Sequence, residues 1–68
     1  MTIKEAVEKF QTIHAVEWEI KRITPIIQGH REWALWGNVE HRESYNRLLA
    51  YKRTLKKAKA VIEYLNEQ

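Results

Sequence analysis

The residues able to do chemistry gather around one short stretch, EWALWGNVEHRE, from Glu32 to Glu43, with His30 and Arg31 just before it. Carboxylate beside imidazole can hold a metal or move a proton, and the spacing decides which of these is open. His14 and Glu17 stand three apart, a spacing used by carboxylate metal sites in helical bundles. A full site of that kind needs several inward carboxylates on facing helices, and the apolar stripe of the last helix carries none. Glu40 and His41 are adjacent, so their side chains diverge on a helix, and His30 and Glu32 are poorly aligned for chelation. Glu17 is instead expected to pair with Lys21 one turn on, and His14 to border the core. There is no Cys, no Asp and no Gly-rich loop, so most nucleophile and phosphate-cradle schemes lack their parts. No metal, no cofactor and no enzymatic activity is expected.

Binding chemistry is better represented. Trp33 and Trp36 share a helix face if their segment is helical, and each can bury roughly 150–250 Å². Two roles are open to them: they close the open end of a helix pair, or they form an exposed anchor for a partner. Trp and Arg dominate interface hot spots, and Arg31 lies beside Trp33. Trp18 shares this ambiguity. The candidate partner-binding set is therefore Trp33, Trp36, Arg31 and Trp18.

Charge supplies a second candidate surface. The formal net charge is +3. Residues 1–41 carry five Lys/Arg against six Glu, whereas residues 42–68 carry seven against three. From Ser44 to Ala60 there are six basic residues and no acid. A basic helix face can track phosphates without any sequence code, bind anionic lipid, dock an acidic protein, or simply be solvated. Its candidate nucleic-acid set is Arg42, Asn46, Arg53, Lys56 and Lys57, with Lys52 beside them and Tyr64 available for stacking. A helix-turn-helix reading would place Arg42, Ser44, Tyr45, Asn46 and Arg47 at the start of a recognition helix. It fits poorly, because its first helix would carry two Trp where a small residue usually packs.

The elements that must position these residues are helices. Sixty-eight residues form one domain with a marginal core, and such chains need regular helix packing, self-association or a staple. Abundant Glu, Lys, Arg, Leu and Ala, with one Pro and two Gly, predict an all-α fold. Thr2 with Glu5 makes a capping box. The stripe Ile3, Ala6/Val7, Phe10, Ile13, Val16, Ile20, Ile23, Ile27 is helical in period. Pro25 allows two readings: a new helix capped by Thr24, or continuity to Gln28 with Gly29 as the stop. A proline inside a helix costs roughly 3 kcal/mol, so the break is preferred. Gly37-Asn38 predicts a stop and turn. In the last helix Leu48, Tyr51, Leu55, Ala58, Ile62 and Leu65 form the inner stripe, with Leu49 among the outer residues.

The expected architecture is two long antiparallel helices, about 3–23 and 42–66, with a short middle helix, about 25–36, packed across them. The result is a small three-helix bundle or a dimeric helical bundle. No apolar run reaches the roughly 20 residues of a membrane span, and the N-terminus lacks a secretory pattern, so a cytoplasmic protein is expected. In size and composition the chain resembles the very small helical proteins of phages and mobile elements, a likeness that carries over no residue or role. The expected function is a small non-enzymatic protein-interaction module (inhibitor, adaptor or assembly subunit) acting through the Trp-rich middle segment on an unidentified partner protein or as a homodimer. The alternative is a DNA- or RNA-binding module using the basic face.

Overall fold

Helices account for nearly all of the chain. The computed structural model describes residues 1–67, with α1 at Ile3–Phe10, α2 at Ile13–Leu35 and α3 at Val39–Asn66. The all-α, three-helix expectation stands, but the breaks fall elsewhere. Thr2 caps α1 as its box predicts: its hydroxyl accepts from the Glu5 N–H at 3.1 Å, and the Glu5 carboxylate accepts from the Thr2 N–H at 3.3 Å. The first helix then stops at Phe10 rather than at residue 23. Gln11 turns left-handed at φ 62°, and its N–H reaches back to the Val7 carbonyl at 2.9 Å. Thr12 restarts the chain, its hydroxyl accepting from the Ala15 N–H at 3.1 Å.

The proline does not break the helix. α2 runs through Pro25 to Leu35, so the separate middle helix at about 25–36 does not exist. Pro25 cannot donate to the Lys21 carbonyl, but both residues are exposed and water can reach the orphaned oxygen. Next to the gap, the Thr24 hydroxyl donates to the Ile20 carbonyl at 2.7 Å. Ile23 and Ile27, on either side of the proline, are both buried. Burying each contributes about 1.5–3 kcal/mol, enough together to offset the loss at Pro25.

Gly37 and Asn38 form the corner. Gly37 is left-handed at φ 87°. Its N–H donates to the Ala34 carbonyl at 3.0 Å, while the Asn38 N–H reaches the Trp33 carbonyl at 3.4 Å. This is the paired closure of a Schellman stop. The Asn38 side-chain oxygen then accepts from the His41 N–H at 3.1 Å and starts α3. α3 therefore begins at Val39, earlier than the expected 42.

α2 and α3 lie antiparallel, as cross-helix contacts of His30 with His41 and of Glu17 with Lys59 require. The third element is the N-terminal α1, which folds back mainly onto α3. The molecule is elongated, 47 × 18 × 14 Å. Its core is Ala6, Val16, Ile23, Ile27, Leu55, Ala58 and Ile62. Phe10, Ile13, Ile20, Leu48 and Tyr51 pack against it as their stripes predict. Leu49 also packs there and is not an outer residue. Leu65, expected inside, is exposed in the last turn of α3.

Two substitutions test this chain path. Pro25→Ala restores a helical N–H and should stabilise the fold by about 1–2 kcal/mol, read as a rise in Tm of roughly 4–16 °C. A fall would mean that the proline starts a helix. Gly37→Ala meets no steric obstacle within 4 Å but must hold a left-handed φ. It should cost about 1 kcal/mol, and an unchanged Tm would argue against the Schellman closure.

Candidate functional site

The Trp-rich corner is built by the last turns of α2 and the first turns of α3. Trp33 is 58% exposed and Trp36 86% exposed. Neither indole is buried as a plug between the helices. Trp36 sits at the helix stop itself, as the C-cap residue of α2. Trp33 lies over His41, with ring centroids 5.6 Å apart and planes 21° from parallel. Glu32, Trp33 and Trp36 line an open, mostly apolar depression of about 410 Å³. Leu35 and Val39 are exposed at the same end.

A second depression of about 310 Å³ lies between the helices at this corner, lined by Arg31, Ala34, Leu35, Arg42, Tyr45 and Asn46. Here the fold joins residues that the sequence assigns to different surfaces. Arg31, from the partner-binding set, shares a groove with Arg42 and Asn46, from the nucleic-acid set. Neither arginine has a carboxylate partner among the described residues. Trp18 is not part of the corner. It is 66% exposed beside Lys21 and Arg22, and Trp33 lies fifteen helical steps further on, about 22 Å along α2.

The basic face divides in two. Arg42 and Asn46 belong to the corner, whereas Arg53, Lys56 and Lys57 lie exposed farther along α3. The stretch that lacks acids in sequence does not lack them in space. Lys56 shares a surface groove with Glu17, Lys59 and Glu63. Lys59 reaches Glu17 across the helix interface at 2.9 Å and Glu63 at 3.9 Å. The expected Glu17–Lys21 pair is replaced by this interhelical one, because a contact between helices was invisible to spacing along one of them. His14 is exposed and does not border the core. The helix-turn-helix geometry is absent: α2 runs antiparallel along α3, and Ser44 and Tyr45 are half-buried at their interface rather than presented at a helix tip.

Sequence reasoning missed the pairing of His30 with His41. Their Nδ1 atoms lie 2.8 Å apart, with ring centroids at 5.0 Å and planes 41° apart. Both rings are half-buried. Starting α3 at residue 42 left His41 outside the helix. With Asn38 as cap, His41 becomes its third residue and faces α2. Among the described residues, no group of three or more His, Cys, Asp or Glu gathers as a metal cluster, and no helix is long and apolar enough to cross a membrane.

Two groups near the α2–α3 interface hold their protons more tightly than usual. The Glu17 carboxylate, through its hydrogen bond and its charge, holds the Lys59 ammonium above its ordinary pKa. Burial, followed by the neighbouring Glu19 carboxylate, pushes the Tyr51 phenol up. Each group binds its proton more tightly in the folded chain than in the unfolded one. Their contribution is therefore complete at neutral pH and is lost as pH rises through the folded values. Urea midpoints should stay level to about pH 9.5 and fall above about pH 10, with a shallower fall in Tyr51→Phe. Equal slopes would mean that the Tyr51 hydroxyl is as well solvated as in the unfolded chain.

No protein-family model, no curated protein and no solved structure matches this chain.

Proposed function

We propose that the protein is a small non-enzymatic interaction module that binds a partner protein through the Trp33/Trp36 corner. The observation that carries this reading is the exposure of two tryptophans, with Leu35 and Val39, at one end of a short chain. Apolar surface gathered in this way on a soluble domain marks an interaction site more often than chance exposure does. The helical stop fixes the backbone beneath the indoles, so little conformational entropy remains to be lost on binding. Arg31 and Arg42 border the patch and make no ion pair among the described residues, which suits a partner that places a carboxylate beside its apolar contact. Trp18 is a separate, secondary contact. A second copy of the chain is one form of the partner.

Trp36→Ala should weaken partner capture about 30-fold or more, as a hot-spot residue does, and shift stability by no more than about 0.5 kcal/mol because the side chain is exposed. Capture from the native host by wild-type and variant chains, with helicity followed by circular dichroism, reads both. Equal capture by the two would sink the proposal. Sedimentation over a range of concentrations identifies the homodimer if the partner is a second copy.

The basic face supports a second reading as a DNA- or RNA-binding surface, because Arg53, Lys56 and Lys57 are exposed and make no ion pair among the described residues. It ranks below the first because Glu17 and Glu63 border the same face near Lys56. Binding through several phosphates should fall steeply between about 50 and 200 mM salt and vanish in Lys56→Glu with Lys57→Glu. No retardation of either nucleic acid at low salt ends this reading.

A further inference from the structure

We propose that His30 and His41 form a two-imidazole clamp for a divalent transition-metal ion of the copper, nickel and zinc group. The two Nδ1 atoms come from different helices and meet at 2.8 Å, with ring centroids 5.0 Å apart. Two bare lone pairs cannot face each other at that distance, so the metal-free pair must hold one proton between its rings. A metal ion takes the place of that proton. In the neutral pair the displaced proton moves to the outer Nε2 of its own ring, so both rings become ligands with no net proton release.

The geometry requires little adjustment. Imidazole nitrogens bind zinc at about 2.0–2.1 Å. Across a tetrahedral angle this sets the two nitrogens about 3.3 Å apart, so the pair must open by about half an ångström. Rotation of the two side chains supplies that without moving either backbone. His41 is held by the first turn of α3, whose N–H is tied to Asn38, and its ring is stacked on Trp33. The ligands are thus placed before the ion arrives. Among the described residues nothing comparable surrounds His14, which is exposed near the start of α2.

The donor set chooses the metal. Two neutral imidazoles suit copper, nickel and zinc, whereas magnesium and calcium require oxygen ligands. Because no third His, Cys, Asp or Glu joins the pair among the described residues, water completes the coordination. The clamp is accordingly an open site, and its affinity should follow the order copper above nickel and zinc.

Trp33, stacked on His41, provides the optical reporter. The full chain is titrated with Cu²⁺, Ni²⁺, Zn²⁺, Mg²⁺ and Ca²⁺, by tryptophan fluorescence and by calorimetry. The expected result is one ion per chain for the first three, quenching by Cu²⁺ and Ni²⁺, and no response to Mg²⁺ or Ca²⁺. Zn²⁺ should raise Tm, since only the folded chain unites the two rings. His30→Gln and His41→Gln should each lose at least about tenfold in affinity, while His14→Gln keeps it. Nitrogen NMR of the wild-type chain keeps the test open if a variant misfolds: Zn²⁺ should move the Nδ1 signals of two of its three histidines. Wild-type affinity in both His30→Gln and His41→Gln, loss in His14→Gln, or unmoved Nδ1 signals would overturn the proposal.

Discussion

Asn38 belongs to two helices at once. Its N–H closes the Schellman stop of α2, and its side chain caps the first turn of α3. With Gly37 left-handed before it, there is no slack in the connection, and the phase of α3 relative to α2 is set. Each residue of an α-helix advances by about 100°, so starting α3 one residue later would rotate its faces by that amount. Leu55, Ala58 and Ile62 would turn partly away from Val16 and Ile23. The contacts of His30 with His41, Glu19 with Tyr51 and Glu17 with Lys59 are consequences of this one register.

The same register explains the reversal at Gln11 and Thr12. With Glu17 opposite Lys59, the start of α2 already lies beside the last turns of α3. A helix continued straight back to Ile3 would run about 10 Å beyond the end of α3. Ala6, Val7 and Phe10 would then remain in water. Holding Gln11 left-handed costs roughly 1–2 kcal/mol, and the Thr12 cap returns about 1 kcal/mol. Folding α1 onto α3 buries Ala6 fully and brings Val7 and Phe10 against the core. In so small a domain that added burial is a large fraction of the whole.

What the sequence makes legible follows from this division between local and cross-helix physics. The Thr2 box, the Gly37-Asn38 stop and the apolar stripe from Ile13 to Ile27 are local patterns, and they appear where their spacing puts them. The break at Gln11 has no local signature, because glutamine has no special tolerance for positive φ. Pro25 carries a strong local signal that is overruled by the burial of Ile23 and Ile27 on either side. That reversal also hid the phase of the corner. Once α2 is continuous, the inner stripe passes from Ile23 and Ile27 to His30 and Ala34, which leaves Trp33 and Trp36 beside it. A break at residue 25 severs that count, and spacing alone then cannot place the tryptophans inside or outside the core.

Why bulky indoles are not core at this end follows from what lies beneath them. Toward the three-residue connection of α2 and α3 the interface carries Ala34 and the paired rings of His30 and His41 in place of large apolar side chains. An indole cannot enter without displacing the histidines, whose nitrogens would then lose each other as partners at a cost of about 1–3 kcal/mol. The interface therefore ends in a polar pair, and the apolar surface of the corner lies outside it. Stability and apolar surface are thereby separated. The core from Ala6 to Ile62 holds the helices together, while Trp36 at 86% exposure adds almost nothing to that hold. A side chain so placed is not held by the packing that fixes the core. Along the Arg53–Lys57 face, interhelical packing sets Glu17 near Lys56 and weakens the field that the composition implies.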